Sequence, residues 1–255
     1  MKKFFLLLAV MSFAAVGVKA GRCDNATGEL KGKHVLVFCG HGGGFVHKCI
    51  PASVEMMLKL GKEYGFRADS TSNLAVFNDK TLAGYDIIVY ANASNLVLSA
   101  EQQSAFQKFI RRGGGFVGIH AATTTGTEWQ WFTDLIGGVF AFHPPFQEFN
   151  VKVIDPSHPS TAVLKPKFRV KDELYIFKNL NPSIRVLAVS EFAGITSWGK
   201  NSAPDYFGNV MPSVWCNEFD GGRVWYTALG HDISCYSDPE YISHIVGGLK
   251  WTAAK

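Results

Sequence analysis

The 255-residue chain has no C-x-x-C pair, no internal period, no low-complexity segment and, beyond its first twenty residues, no long apolar run. Each absence excludes something. Five cysteines without a C-x-x-C pair indicate neither a zinc ribbon nor a thioredoxin-like redox site, and their odd number leaves at least one thiol unpaired or intermolecular. Without a period the chain is no solenoid or propeller. Gly40-His41-Gly42-Gly43-Gly44 is rich in glycine. It is not followed by the acidic partner of a dinucleotide fingerprint, nor by the Gly-Lys-Ser/Thr ending of a phosphate loop. Its glycines let backbone turn tightly or approach a ligand, and a nucleotide function is disfavoured. Charged residues make up only 18% against 47% hydrophobic, which excludes disorder.

The formal charge of +4 includes Lys2, Lys3 and Lys19. Met1-Lys2-Lys3, an apolar run from Phe4 to Val18 and the small-residue pattern Val18-Lys19-Ala20 read as a secretory signal over residues 1–20. The run is too short for a transmembrane helix, and Arg22 before Cys23 spoils a lipoprotein cleavage box. Cleavage removes twenty residues and three positive charges, leaving 235 residues at +1. That balance argues against nucleic acid and against an anionic membrane surface as partners. The expectation is a periplasmic or secreted protein with no membrane anchor. Residues 21–32 form a short extension and residues 33–255 a single domain.

From Lys33 the chain alternates strand and helix signals. His34 to Cys39 is a buried strand, and Pro51 opens a helix with Val54, Met57 and Leu58 inward that stops at Gly65. Phe66 to Thr71 and Tyr85 to Tyr90 are strands. Ser99 and Gln102 form a capping box for a helix with Phe106, Phe109 and Ile110 on one face, and Phe116 to Ile119 is a further strand. This rhythm predicts an α/β fold: a doubly wound, mostly parallel sheet flanked by helices. Additional strands follow in the C-terminal half: Val151–Ile154, Phe168–Phe177, Arg185–Val189, Pro212–Cys216 and Arg223–Thr227, the last two joined by an Asp220-Gly221-Gly222 turn. A closing helix runs from about Pro239 to Trp251.

Ligands of open α/β sheets bind beyond the carboxyl ends of the strands. Four of the eight histidines fall there: His41 and His47 after the first strand, His120 after the fourth and His231 after the last. Asn92 ends its strand in the same way. Gly118-Ile119-His120-Ala121-Ala122 has the form of a strand-to-helix elbow around one projecting side chain. Histidine there, in place of Ser or Cys, argues against an acyl-enzyme and for acid–base or metal-ligand duty; a packed, hydrogen-bonded core histidine is the plain alternative. Asp172-Glu173-Leu174-Tyr175 lies in an alternating pattern, which turns one carboxylate to the site and the other to solvent. Trp129, Trp131 and Phe132 can stack on a sugar face or pack the core, and His143-Pro144-Pro145 makes a rigid site rim or a turn. His34, His158 and His244 read as structural.

Taken together, several segments resemble the ThuA-like (trehalose utilisation) family. They are Gly44-Phe45-Val46-His47 with Ile50-Pro51, Gly113 to Ala122, Gly137-Gly138, Phe142-His143-Pro144, His158-Pro159, Asp172 to Tyr175, Trp215, Glu218 to Thr227, Leu229-Gly230-His231 and Gly247 to Trp251. The resemblance covers the mature chain in order. It implies a class I glutamine amidotransferase-like (flavodoxin-like) fold without the amidotransferase cysteine. It also implies a place in bacterial breakdown of trehalose and related glycosides through 3-keto-sugars. Met211-Pro212 and Asn217 stand where family members usually carry histidines around the Trp, and Thr124 where an aspartate often follows His-Ala-Ala-Thr.

On this reading the substrate is a small carbohydrate, a keto-glycoside of the 3-keto-disaccharide type, cleaved by histidine acid–base or metal-assisted chemistry. His120 acts as base or ligand, His231 as partner acid, and Asp172 or Glu173 orients an imidazole. His47, Asn92, Trp131, His143 and Tyr175 hold sugar or form the rim. If a divalent ion such as zinc is bound, His47, His120 and His231 are its candidate ligands. The alternative is a non-catalytic carbohydrate-binding or accessory protein on the same fold. The sequence leaves the oligomeric state open, a homo-oligomer being one option.

Overall fold

The computed structural model describes residues 24–205 and 208–254; residues 1–20, expected to be a secretory signal, and Cys23 lie outside the described residues. The apolar runs become strands in order, with helices where the period changes to 3.6. The first stretch comprises β1 (His34–Phe38), α1 (Ile50–Tyr64), β2 (Arg67–Thr71), α2 (Asp79–Leu82) and β3 (Ile87–Ala91). It continues with α3 (Ala100–Arg111), β4 (Gly115–Ile119) and α4 (Gln130–Ile136). Beyond it come β5 (Val139–Phe142), β6 (Gln147–Val153), β7 (Lys167–Asp172), β8 (Ile176–Lys178), β9 (Arg185–Glu191), β10 (Val210–Phe219), β11 (Gly222–Thr227) and α5 (Pro239–Ala253).

Nine strands form one sheet in the order β2-β1-β3-β4-β11-β10-β9-β6-β7. The half from β2 to β11 is parallel, and β11 to β7 continues it with antiparallel pairs. The change has a cause in the sequence. Parallel neighbours need a crossover of a dozen residues or more, which α1 and α3 supply; among the described residues between β6 and β10 there is no helix, so those strands join through hairpins and loops. Asp220 and Gly221 turn the β10–β11 hairpin with φ of 49° and 94°, the left-handed pair that a two-residue hairpin loop requires.

The helices carry their expected signals. Ser99 Oγ accepts the Gln102 N–H while Gln102 Oε1 accepts the Ser99 N–H, closing the capping box of α3, and that helix buries Phe106, Phe109 and Ile110. In α1 the buried face is instead Ser53, Met56, Met57 and Leu60; Val54 is half-buried and Leu58 exposed, so that face was misjudged by about one position. The apolar core spans both halves of the sheet, with Trp215, Trp225, Trp251, Tyr90 and Tyr226 fully buried.

One strand expectation is corrected. Phe168 to Phe177 is not continuous: β7 ends at Asp172, and β8 pairs with β5 in a separate two-stranded ribbon. The ladder stops where the Asp172 carboxylate accepts three backbone N–H groups, those of Glu173, Gly230 and His231. Residues Asp172 to Phe177 are all buried, so neither carboxylate faces solvent.

Candidate metal centre

The strand ends β1, β4 and β11 and the break after β7 meet at one edge of the sheet. His120 takes the first position beyond β4 with φ of 48°, a left-handed conformation costly for a residue with a Cβ. Two bonds hold it: Tyr226 Oη donates to its carbonyl at 2.8 Å, and its Nδ1 lies 2.7 Å from the Ala228 carbonyl. A carbonyl only accepts, so Nδ1 carries a proton, and Nε2 is the atom turned toward Glu173. His231 follows β11 through Gly230, whose φ is 116°; a Cβ at Gly230 would stand 2.3 Å from Tyr241 Oη.

His47, His120 and His231 stand edge to face, with ring centroids 5.0 to 5.4 Å apart. Between them is Glu173. Its Oε2 lies 3.3 Å from His120 Nε2 and 3.2 Å from His231 Nδ1, and its Oε1 lies 3.5 Å from His143 Nε2. Yet His47 Nδ1, His120 Nε2 and His231 Nδ1 are buried without a hydrogen-bond partner. One donor atom from each of His47, His120, Glu173 and His231 falls within 4.8 Å of the others. Orphaned buried nitrogens are costly unless something fills the space they share. Tetrahedral zinc, with ligands at about 2.0–2.2 Å, sets ligand-to-ligand edges of roughly 3.3 Å. Both Glu173 contacts match that edge, and three imidazoles with one carboxylate are a donor set suited to zinc and its neighbours.

The electrostatics divide the donors: His47 and Glu173 are held in forms that can ligate, whereas Glu173 favours the charged form of His231. Burial, followed by the charges of His120 and His231, pushes His47 down to about 3, so it is neutral and able to ligate. For Glu173 burial acts upward, but the nearby His120 and His231 imidazoles outweigh it and hold the carboxyl well below its usual range. Burial acts downward on His231, and Glu173 overcomes it, raising that histidine. Burial raises Asp172, opposed by His120 and by the backbone N–H groups it accepts.

Of the residues singled out in the sequence, His47, His120, His231 and Glu173 come together. Glu173 was expected to orient an imidazole; it stands among the donors instead. Asp172 orients no imidazole but holds the backbone of Gly230 and His231. His143 faces the other Glu173 oxygen, its Nδ1 donating to the Pro144 carbonyl at 2.8 Å. Tyr175 is buried, its ring 4.1 Å from that of His120, and walls the site instead of reaching into it. Asn92 is buried below, donating to Tyr236 Oη at 2.6 Å. His41 is exposed and outside the cluster.

Trp131 is not at the site. Its indole N–H donates to Asp220 in the β10–β11 turn, at the opposite edge of the sheet, where its ring packs on Phe106 and Phe219. Met211, Asn217 and Thr124 are not among the donors. Met211 is core, Asn217 donates to the Asp134 carbonyl, and Thr124 Oγ1 bridges the Ala121 carbonyl and the Asn95 N–H. What the sequence did not expose was Asp172 as a backbone anchor. Its signal was only an acid placed directly before Glu173 at a strand end.

Fold and site define a class: an α/β protein with one large sheet flanked by helices, whose elbow position holds a histidine inside a His₃Glu cluster. Residues 34–252 match the sequence model of the ThuA, trehalose utilisation, family, and the chain belongs to that family. Among solved structures it is similar to a putative ThuA-like protein from Bacteroides uniformis, with 22% identity, a TM-score of 0.70 and coverage of 92% of this chain and 96% of that one. A putative ThuA-like protein from Parabacteroides merdae gives 19% identity, a TM-score of 0.71 and coverage of 88% and 91%. A beta-galactosidase from Bacillus circulans is similar over 86% of this chain but only 30% of its own, at 13% identity and a TM-score of 0.54. These likenesses show the fold. No curated protein sequence matches the chain.

Proposed function

We propose that this protein is a metal-dependent enzyme acting on a keto-glycoside, exported from the cell by the signal read in residues 1–20. The observation that carries the reading is the set of three buried, unpartnered histidine nitrogens gathered around Glu173. His47, His120, His231 and Glu173 would hold zinc or a similar ion. Bound there, the ion supplies Lewis acidity toward a ketone oxygen.

The chain's own groups do the rest. A ketone acidifies the adjacent C–H; removal of that proton lets the C–O bond one carbon further break, and the leaving oxygen takes up a proton. The products are an unsaturated ketone and an alcohol, and water added across the double bond completes a hydrolysis. His143 is suited to proton transfer: Nδ1 is engaged by Pro144, Nε2 faces Glu173, and its side chain is 34% exposed at the open side. His120 and Tyr175 close the inner wall and exclude water there. The family's printed description, trehalose utilisation, supports a sugar substrate.

The test follows reducing-sugar release from a 3-keto-disaccharide by wild type and His120→Ala, with metal content measured on both. Turnover lost together with metal supports the reading. Tight binding without turnover in either protein replaces it with a carbohydrate-binding role.

A further inference from the structure

The mouth of the cluster carries exposed aromatic and aliphatic side chains. Phe45, in the loop after β1, is 61% exposed, and Phe146, before β6, is 38% exposed. Both flank the same ring: Phe45 lies 6.2 Å from His231 and nearly parallel to it at 17°, and Phe146 lies 5.6 Å from His231. Phe45 also meets His47 edge to face at 4.9 Å. Val46 and Ile233, on the same loops as Phe45 and His231, are exposed as well. Several large apolar side chains left in water beside one buried polar cluster make a surface that a ligand can cover.

Several polar side chains near these rings are engaged within the protein, while His41 and Lys48 of the Phe45 loop are exposed. Gln147 donates to the carbonyls of Pro145 and Ser197 and accepts from Thr196. Asn95 donates to the Gly43 carbonyl, and Asp232 accepts from Ser234. A second sugar ring needs amides and carboxylates turned toward its hydroxyls. A flat apolar group needs only the rings.

We propose that Phe45 and Phe146 form a cradle for an aryl aglycone, held beside His231 while the sugar occupies the cluster. This rests on the reading of the cluster as the reaction centre and narrows its substrate class to aryl glycosides. Lys171 Nζ, 5.7 Å from the Phe146 ring, covers that ring from the side of β7 and keeps it in place.

The experiment titrates the zinc-loaded protein with phenyl glucoside and methyl glucoside by calorimetry, for wild type, Phe45→Ala, Phe146→Ala and Phe146→Leu. The expected result is phenyl glucoside bound at least about tenfold more tightly than methyl glucoside. Each alanine variant should lose about tenfold in phenyl binding, the size of one aromatic contact, at unchanged zinc content. Phe146→Leu should retain part of the preference. Equal affinity for the two glucosides overturns the proposal. So does loss of zinc in the alanine variants, which would make the rings packing groups, or a dimer that Phe45→Ala dissociates. Phenyl selectivity with no turnover of any keto-glycoside rejects the reaction class and keeps the cradle.

Discussion

The carboxylate of Asp172 holds His231 by its backbone, Oδ1 accepting the N–H at 3.2 Å, while the imidazole of the same histidine stays free to face Glu173. Anchor and donor are thereby separated: one acid fixes the main chain and its neighbour stands among the imidazoles. Replacing Asp172 by Ala leaves three buried N–H groups without an acceptor. Each costs about 1–3 kcal/mol, so a severe fall in melting temperature is expected. Asp172→Asn keeps one carbonyl oxygen and should fold. Its zinc affinity should drop roughly 10- to 100-fold, measurable by competition with a chromophoric chelator.

Removing donors should remove metal. Protein expressed in zinc-supplemented medium should carry close to one equivalent by elemental analysis. His47→Ala, His120→Ala and Glu173→Ala should each carry far less. Chelator treatment should lower the melting temperature of wild type, because an ion bound only by the folded chain stabilises it by mass action. Those three variants should show no such shift; an equal shift would place the metal elsewhere.

A pH dependence is expected from two histidines remote from the cluster. His244 is buried, with Nδ1 donating to the Ser160 carbonyl and Nε2 accepting from Thr227; burial pushes it down to about 4. His158 is pushed down to about 3 by burial, then by Arg185 and His244, with Asp155 opposing and Arg223 adding to the effect. Their ordinary value is 6.5, so between there and about 4 the unfolded chain takes up protons that the folded chain cannot hold. Stability is therefore complete above about pH 6.5 and declines below it, by on the order of 3 kcal/mol for His244 alone by pH 4. Melting temperature against pH should show a shallower acid slope in His244→Gln than in wild type, even though that variant melts lower throughout.

The capping box offers a mild control. Ser99→Ala removes the acceptor of the Gln102 N–H at the start of α3. About 1 kcal/mol should be lost, a fall of roughly 2–4 °C, with metal content unchanged. A change in metal content would show that α3 communicates with the far edge of the sheet.

Much of this architecture could be read from residue pattern. The parallel half follows from short apolar runs separated by capped helices, and the small residues around His120 in Gly118-Ile119-His120-Ala121-Ala122 mark the elbow in the sequence itself. His47 and His231 were found by the strand-end rule alone. Alternation through Asp172 and Glu173 assumes that the strand continues, and three backbone bonds to one carboxylate end it. Trp131 resembled a sugar platform because composition does not say which edge of a sheet a helix reaches. The partners of Glu173 come from distant segments, and spacing in sequence carries no trace of such a meeting.

The left-handed turn at His120 lies between β4 and β11, next to the seam where the sheet changes from parallel to antiparallel pairing. Donors at positions 47 and 120 belong to one side of that seam, and Glu173 comes from the other. A bound ion would therefore act as a clasp across the seam, closing long loops of chain much as a cross-link does. Its release would loosen the two sides from each other before either lost its own hydrogen bonding. In hydrogen exchange, chelation should free the loops around residues 47 and 173 together, as one unit and not as two.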